Sequence, residues 1–324
     1  MHPTALRHAR PAPQQDALAL HTQAEHHIQQ TPLGQWASTA PDGWAWVSVA
    51  DGVASSPCAD LASRSFLQVL HRASPTVAKQ LPGLVRQARI DWRVQYLKPR
   101  TRGAACTLAS LLVADGQVCA VNSGDSRIWR LRPQADGCVQ WLQLSRDHTA
   151  WQQMLDDGDL PAEEDVAMEE YASIYQGLLH CLVLDADDDL DADESATPED
   201  WLHIWHGQAM PGDAYLLATD GLHGVLTDAQ MQALWQAADS PQGKLQALHN
   251  AYRRTGAHDD VSVIYLEFDS SQRFTGNGQI QKSPFLQRHK SSYHCAQCQA
   301  CPITPSPSPP LTPAASNCYP VIPT

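Results

Sequence analysis

The sequence predicts an α+β fold with antiparallel sheets. Three observations carry that expectation: Asp-Gly dipeptides set between apolar strand-like runs, helical patterns that come in pairs, and strand links too short for a parallel crossover. The first such link is Asp42-Gly43 within the apolar segment 35–50, which reads as a hairpin. The device recurs at Asp115-Gly116, between 108–114 and 117–122, and at Asp136-Gly137, between 128–131 and 139–144. A parallel return needs a dozen or more residues, so these strands are antiparallel neighbours. Between the first pair and the second, 59–70 places Leu61, Ala62, Phe66, Val69 and Leu70 along one helical face. A second helical pattern covers 77–97, interrupted near Pro82. Later helices are expected at 228–237, introduced by the capping residue Thr227, and at 244–254 ahead of Gly256. The last strand, 261–268, runs through Val261, Val263, Ile264, Leu266 and Phe268 and suits a mostly buried place. Strand pairs broken by helix pairs give layers rather than an alternating βαβ series. No internal repeat is found.

Length and charge narrow the function. At a prior of about 150 residues per domain, 324 residues with 43% hydrophobic content make one large domain or two small ones. Asp plus Glu number 35 against 22 Lys plus Arg, a net charge of −13, which repels phosphate backbones and anionic lipid. Nucleic acid and membranes are therefore not expected partners. No apolar run approaches the roughly 20 residues of a membrane helix, and the first thirty residues hold no apolar signal core, so the chain reads as cytoplasmic. Composition changes after Asp269. The stretch 270–324 has four basic residues (Arg273, Lys282, Arg288, Lys290), no acidic one and nine prolines, and reads as a flexible extension to a domain spanning 1–269. Cys58, Cys106, Cys119, Cys138 and Cys181 are scattered singly and read as reduced core thiols. In the extension, Cys295, Cys298 and Cys301 recur every third residue beside His294, with Cys318 further on. Zinc sites pair two close doublets around a folded spacer, and this Pro-rich run offers none, so a flexible tail is the preferred reading.

The chemistry is expected where strands end in acids. Asp51 follows 47–50 and precedes Gly52; Asp220 follows 214–219 and precedes Gly221. Asp125 stands in Asn122-Ser123-Gly124-Asp125-Ser126-Arg127, and Asp259 precedes the last strand. Any one Asp-Gly after a strand is ordinarily a turn; the joint pattern is more specific. If the strands lie side by side, their acids converge on one edge, where they raise one another's pKa unless a cation neutralises them. Oxygen-only ligation favours Mg²⁺ or Mn²⁺ over zinc. Local alternatives stand beside this: Asp125 paired with Arg127, Asp260 capping a turn, His148 in a structural role, and the acid-rich 151–193 as a solvated face.

These residues, taken in order, resemble the protein phosphatase 2C type of metal-dependent serine/threonine phosphatases, in particular compact bacterial members. The resemblance spans about residues 10–268. It rests on Gln15-Asp16-Ala17, Val49-Ala50-Asp51-Gly52-Val53, the small-residue strand 103–108, Gly124-Asp125-Ser126-Arg127, Arg146-Asp147-His148-Thr149, Thr219-Asp220-Gly221-Leu222 and His258-Asp259-Asp260-Val261-Ser262-Val263. It implies a four-layer α-β-β-α sandwich of two antiparallel sheets with a two-metal centre at one end. It further implies that Asp51 bridges two Mn²⁺ or Mg²⁺ ions, that the Gly52 carbonyl, Asp220 and Asp259 complete their shells with water, that Asp16 acts mainly through a water or directly on one metal, and that Asp125 serves a third, weaker site. Arg10 is the candidate for holding substrate phosphate, a task suited to a guanidinium fork. The chain departs from the family pattern in places: Arg10 stands six residues before Asp16, Ala54-Ser55 replace a glycine pair, and Val53 stands where some eukaryotic members have histidine. The expected activity is hydrolysis of phosphoserine and phosphothreonine in proteins modified by a Ser/Thr kinase, by a monomer using metal-activated water in line with the leaving group. The alternative is a phosphoprotein-binding module of the same fold with impaired turnover. A kinase is disfavoured, since no glycine-rich phosphate loop is present.

Overall fold

The computed structural model describes residues 2–8, 14–23, 25–29, 36–37, 44–159, 175–185, 201–257, 259–267, 273–274 and 280–281. The first strands are β1 (His2–His8), β2 (Ala17–Thr22), β3 (His26–Gln29), β4 (Trp36–Ala37) and β5 (Trp44–Ala50). Two helices follow, α1 (Ala59–Leu70) and α2 (Leu81–Tyr96). Next are β6 (Ala104–Cys106), β7 (Leu108–Ala114), β8 (Gln117–Ser123), β9 (Arg127–Pro133) and β10 (Val139–Gln143), then α3 (Ala150–Asp157). The second half contains β11 (Leu182–Leu184), β12 (His203–Gln208), β13 (Ala214–Ala218), α4 (Asp220–His223), α5 (Asp228–Gln236), α6 (Pro241–Thr255) and β14 (Val261–Glu267). Arg273–Phe274 and Ile280–Gln281 form a short antiparallel pair within the predicted tail. The 269/270 boundary and the cysteines at 295–318 lie outside the described residues.

Two six-stranded antiparallel sheets form the body. One has the order β10-β9-β13-β14-β1-β4 and the other β12-β8-β7-β5-β2-β3. Because side chains alternate along a strand, each sheet supplies two faces. Val47, Val49, Leu111 and Val113 of the second sheet meet Tyr215, Leu217, Ile264 and Leu266 of the first between the sheets. Trp46, Leu112 and Cys119 face outward onto Phe66 and Leu67 of α1 and Trp92 of α2. On the opposite outer face, Trp129, Leu216 and Tyr265 pack against Trp235 of α5 and Leu248 and Tyr252 of α6. The predicted four-layer sandwich is the observed one. Among the described residues, no helix is long and apolar enough to cross a membrane.

Local expectations meet this frame unevenly. The Asp115-Gly116 hairpin is present, with Ala114 opposite Gln117, and Asp136-Gly137 lies in the loop joining β9 to β10. The turn expected at Asp42-Gly43 lies outside the described residues; on either side of it, β4 pairs with β1 at the edge of one sheet, whereas β5 lies between β2 and β7 in the other. Alternation marks strands but does not name their partners. Pro82 lies in the first turn of α2 rather than interrupting it, after a single 3₁₀ turn at Ala78–Gln80, because the first helical turn has no amide hydrogen bond for proline to break. α6 starts a turn earlier than expected, at Pro241, with the Ser240 hydroxyl accepting from Gly243 N. Of the five scattered cysteines, only Cys106 and Cys119 are buried; Cys58 and Cys138 are exposed.

Candidate functional site

Strand register brings the predicted acids to one end of the sandwich. In the second sheet Ala17 pairs with Ala50, so Asp16 at the entry of β2 and Asp51 at the exit of β5 are neighbours. In the first sheet Ala218 pairs with Val263, which puts Thr219-Asp220 beside Asp259-Asp260. Hydrogen bonds then join the two sheets at this end. The Thr219 hydroxyl accepts from Ser262 N at 3.0 Å and donates to Asp16 Oδ2 at 2.9 Å. Gln15 N donates to Asp260 Oδ2 at 2.7 Å, and Gly52 N donates to the Gln15 carbonyl at 3.1 Å. The Ser63 hydroxyl of α1 donates to that same carbonyl. Asp51 is held through its backbone, its N–H donating to Thr107 Oγ1 at 3.0 Å and its carbonyl accepting from Thr107 N at 2.7 Å.

Two glycines allow the close approach. A Cβ on Gly52 would lie 2.2 Å from the Ala59 carbonyl oxygen, and one on Gly221 would lie 2.0 Å from that of Asp260. The turns carrying Asp51 and Asp220 are therefore seated directly on backbone, where a side chain does not fit.

The electrostatics are those of acids crowded together. Burial, then the charges of Asp16 and Asp220, pushes the Asp51 carboxyl well above the usual carboxylate range. Asp220 is raised by burial and by Asp259, partly offset by hydrogen bonding from Asp51. Asp125 is pushed up to about 8, first by burial and then by Asp220 and Asp147. Asp16 is fully buried, Asp51 and Asp220 are half-buried, and Asp259 is exposed at the rim with its carbonyl accepting from the Tyr252 hydroxyl at 2.5 Å. Arg127 does not pair with Asp125 as its main partner; its guanidinium holds Asp147, with Nε at 2.9 Å and Nη2 at 2.6 Å from Oδ2. Asp260 is a tie between sheets rather than a turn cap. His148 is structural in its contacts: its ring Nδ1 accepts from Gly124 N and its backbone N–H donates to the Gly124 carbonyl, both at 3.0 Å.

A hard divalent cation fits this donor set. The Asp51 carboxyl lies close enough to hydrogen-bond to those of Asp16 and Asp220, which anionic carboxylates do not tolerate without a proton or a cation between them. Asp220 Oδ1 is buried with no hydrogen-bond partner among the described residues. Oxygen donors alone select Mg²⁺ or Mn²⁺. Arg10, the expected phosphate clamp, and most of the acid-rich segment after α3 lie outside the described residues. Supporting residues that strand-end acids did not reveal are Gln15, Thr107 and Tyr252. They act through backbone atoms or hydroxyls, which leave little trace in sequence; Thr219, directly before Asp220, is the one with a readable position.

Solved structures share the arrangement of layers. MsPP, a PPM Ser-Thr phosphatase from Mycobacterium smegmatis crystallised with cacodylate, superposes with a TM-score of 0.57 at 20% identity, over 82% of this chain and 97% of that one. This is the PPM-type phosphatase fold. The catalytic domain of the serine/threonine phosphatase PstP, solved with two manganese ions, matches at a TM-score of 0.58 and 21% identity, covering 83% of this chain and all of that one. In sequence, the chain is 24% identical over 227 residues to PstP of Mycobacterium tuberculosis, a match covering 68% of this chain but only 40% of PstP. It is 22% identical over 237 residues to the serine/threonine phosphatase stp of Listeria monocytogenes, covering 70% of this chain and 86% of stp. No protein-family model matches the sequence. The relatives and the fold agree with the resemblance carried by the strand-end acids.

Proposed function

We propose that the chain is a metal-dependent protein phosphatase that hydrolyses phosphoserine and phosphothreonine esters in proteins modified by a Ser/Thr kinase. The single observation that carries this reading is the meeting of Asp16, Asp51 and Asp220 at one end of a PPM-type sandwich, with Asp259 at the rim. The names of the relatives PstP and stp support the substrate class, and the manganese in the PstP structure supports the cofactor.

Asp16, Asp51, Asp220, Asp259 and the Gly52 carbonyl would hold two Mn²⁺ or Mg²⁺ ions, with Asp125 available to a third. Bound there, such ions would supply Lewis acidity toward phosphoryl oxygens and lower the pKa of an attacking water. The chain's own residues do the positioning. Thr219 orients the Asp16 carboxylate by donating to Oδ2, Thr107 fixes the Asp51 backbone from both sides, and Gln15 ties the Gly52 turn to Asp260 across the sheets. Arg10 would hold the substrate phosphate. Residues 1–269 form the catalytic domain in this reading, with 270–324 as an appended tail.

The test is hydrolysis of p-nitrophenyl phosphate and of a phosphothreonine peptide, with Mn²⁺, with Mg²⁺ and with EDTA. Metal-stimulated turnover that Asp51→Asn abolishes is the expected result. Binding of the phosphopeptide without metal-stimulated turnover would replace this reading with that of a phosphoprotein-binding module.

A further inference from the structure

A second group of ligating side chains sits at the far end of β2 from the carboxylates. His21 lies opposite His26 in the β2–β3 pairing, and His71 follows the last residue of α1. At about 3.3 Å per strand residue, the five residues from Asp16 to His21 span about 16 Å. The ring centroids of His21 and His26 are 4.3 Å apart, and His71 is 6.0 and 6.1 Å from them. One ligand nitrogen from each ring lies within 4.8 Å of the other two.

Two ring nitrogens of this group are buried without a hydrogen-bond partner among the described residues. His71 is completely buried, and its Nε2 is 2.8 Å from Ser48 Oγ, which in turn lies 2.7 Å from Ser110 Oγ. Trp46 Nε1 donates to that same Ser110 oxygen at 2.8 Å. In the tautomer whose Nε2–H donates to Ser48, the lone pair of His71 is on Nδ1, the nitrogen that has no hydrogen-bond partner among the described residues. His21 Nδ1 is likewise buried and without one. A ring N–H held by a hydrogen-bond partner while the other nitrogen is left open is the outer support found behind metal-ligating histidines.

We propose that His21, His26 and His71 form a binding site for one borderline divalent transition-metal ion, Zn²⁺ by its chemistry, distinct from the carboxylate end. Three imidazoles with no carboxylate among them favour Zn²⁺ over Mg²⁺ or Mn²⁺. Burial holds the His21 ring at about 4 and lowers His26 and His71 in the same direction, so all three are neutral and their lone pairs available near pH 7. Tetrahedral ligation at about 2.0–2.1 Å needs nitrogens about 3.3 Å apart with each lone pair in its ring plane; the His21 and His26 rings are stacked at an interplanar angle of 20°, so binding requires the exposed His26 ring to swing out of the stack and the three nitrogens, now within 4.8 Å, to draw together. The ion would pin the β2–β3 hairpin to the C-terminal end of α1. The N-terminal end of that helix backs the Gly52 turn through Ala59, and its Ser63 bonds the Gln15 carbonyl, so the site braces an element that also supports the acids.

The test uses the full-length chain with Cys295, Cys298, Cys301 and Cys318 each replaced by serine, saturated with Mg²⁺ to occupy hard-oxygen sites. Zn²⁺ is titrated by calorimetry, and Co²⁺ is followed by its visible spectrum. One equivalent of Zn²⁺, a rise in melting temperature and a tetrahedral Co²⁺ spectrum without thiolate charge transfer are expected. His26→Ala, an exposed position whose loss leaves the core intact, should weaken binding at least about tenfold, while Asp51→Asn should leave it unchanged. No Zn²⁺ uptake, unchanged affinity in His26→Ala, thiolate bands with Co²⁺, or loss of uptake in Asp51→Asn would each overturn the proposal.

Discussion

Gly221→Ala tests the seating of the Asp220 turn most directly. The added methyl would lie 2.0 Å from the Asp260 carbonyl oxygen and 2.9 Å from Val261 Cγ2, against an ordinary contact of 3.4 Å or more. That carbonyl belongs to the turn entering β14, which is held by Gln15 N on the Asp260 side chain and by the β13–β14 ladder. The Asp220 turn must therefore retreat by about 1.4 Å, the difference between those distances, or the strand entry must distort. Overpacking of this kind costs about 1–3 kcal/mol. A shift of about 1 Å at a reacting centre costs about a hundredfold in rate. Gly83→Ala in α2 is the matched control, since nothing lies within 4 Å of its Cβ; it should leave hydrolysis unchanged and stabilise by up to about 1 kcal/mol. Urea unfolding and Mn²⁺-stimulated hydrolysis of p-nitrophenyl phosphate measure both variants. Wild-type stability and rate in Gly221→Ala would refute the close seating of this turn and its role in placing Asp220.

Three further outcomes are expected. Asp51→Asn removes the acid most strongly opposed by its neighbours, so in EDTA it should melt higher than the wild type while losing metal-stimulated hydrolysis; a lower melting temperature in EDTA would contradict the crowding argument. The Asp125 pKa, raised from 3.8 to about 8, makes the folded state bind more protons than the unfolded one, so metal-free stability should fall as pH rises through that window. Between pH 7.5 and 8.5 the buried histidines, whose pKa values are lowered, are almost wholly neutral in the unfolded state as well and offset only part of the effect; the urea midpoint in EDTA should drop over this range and be flatter with Mn²⁺. Arg127→Ala leaves the Asp147 carboxylate, 5% exposed, without its bidentate partner and should destabilise by about 3–5 kcal/mol, read as a lowered urea midpoint near neutral pH.

Elements with strong local signals were legible in the sequence. α1 spans the predicted 59–70 because its apolar spacing is unambiguous, and the β7–β8 hairpin turns where Asp115-Gly116 supplies the needed backbone. The first strands were harder. His2–His8 lacks alternation, and its place beside β14 depends on a partner more than 250 residues away. The partners of β5, which are β2 and β7, were hidden for the same reason, since a strand's pattern records which face is buried but not which neighbour it pairs with.

The sequence by itself determined the strand-end acids, the layered α+β class and the hard-oxygen character of the candidate centre, because each depends on residue type at short spacing. Tertiary structure alone decided that Asp16 and Asp51 are neighbours through Ala17 opposite Ala50, that Arg127 serves Asp147, and that His21, His26 and His71 converge. Those outcomes depend on register and packing between segments far apart in the chain, and no short-range pattern encodes them.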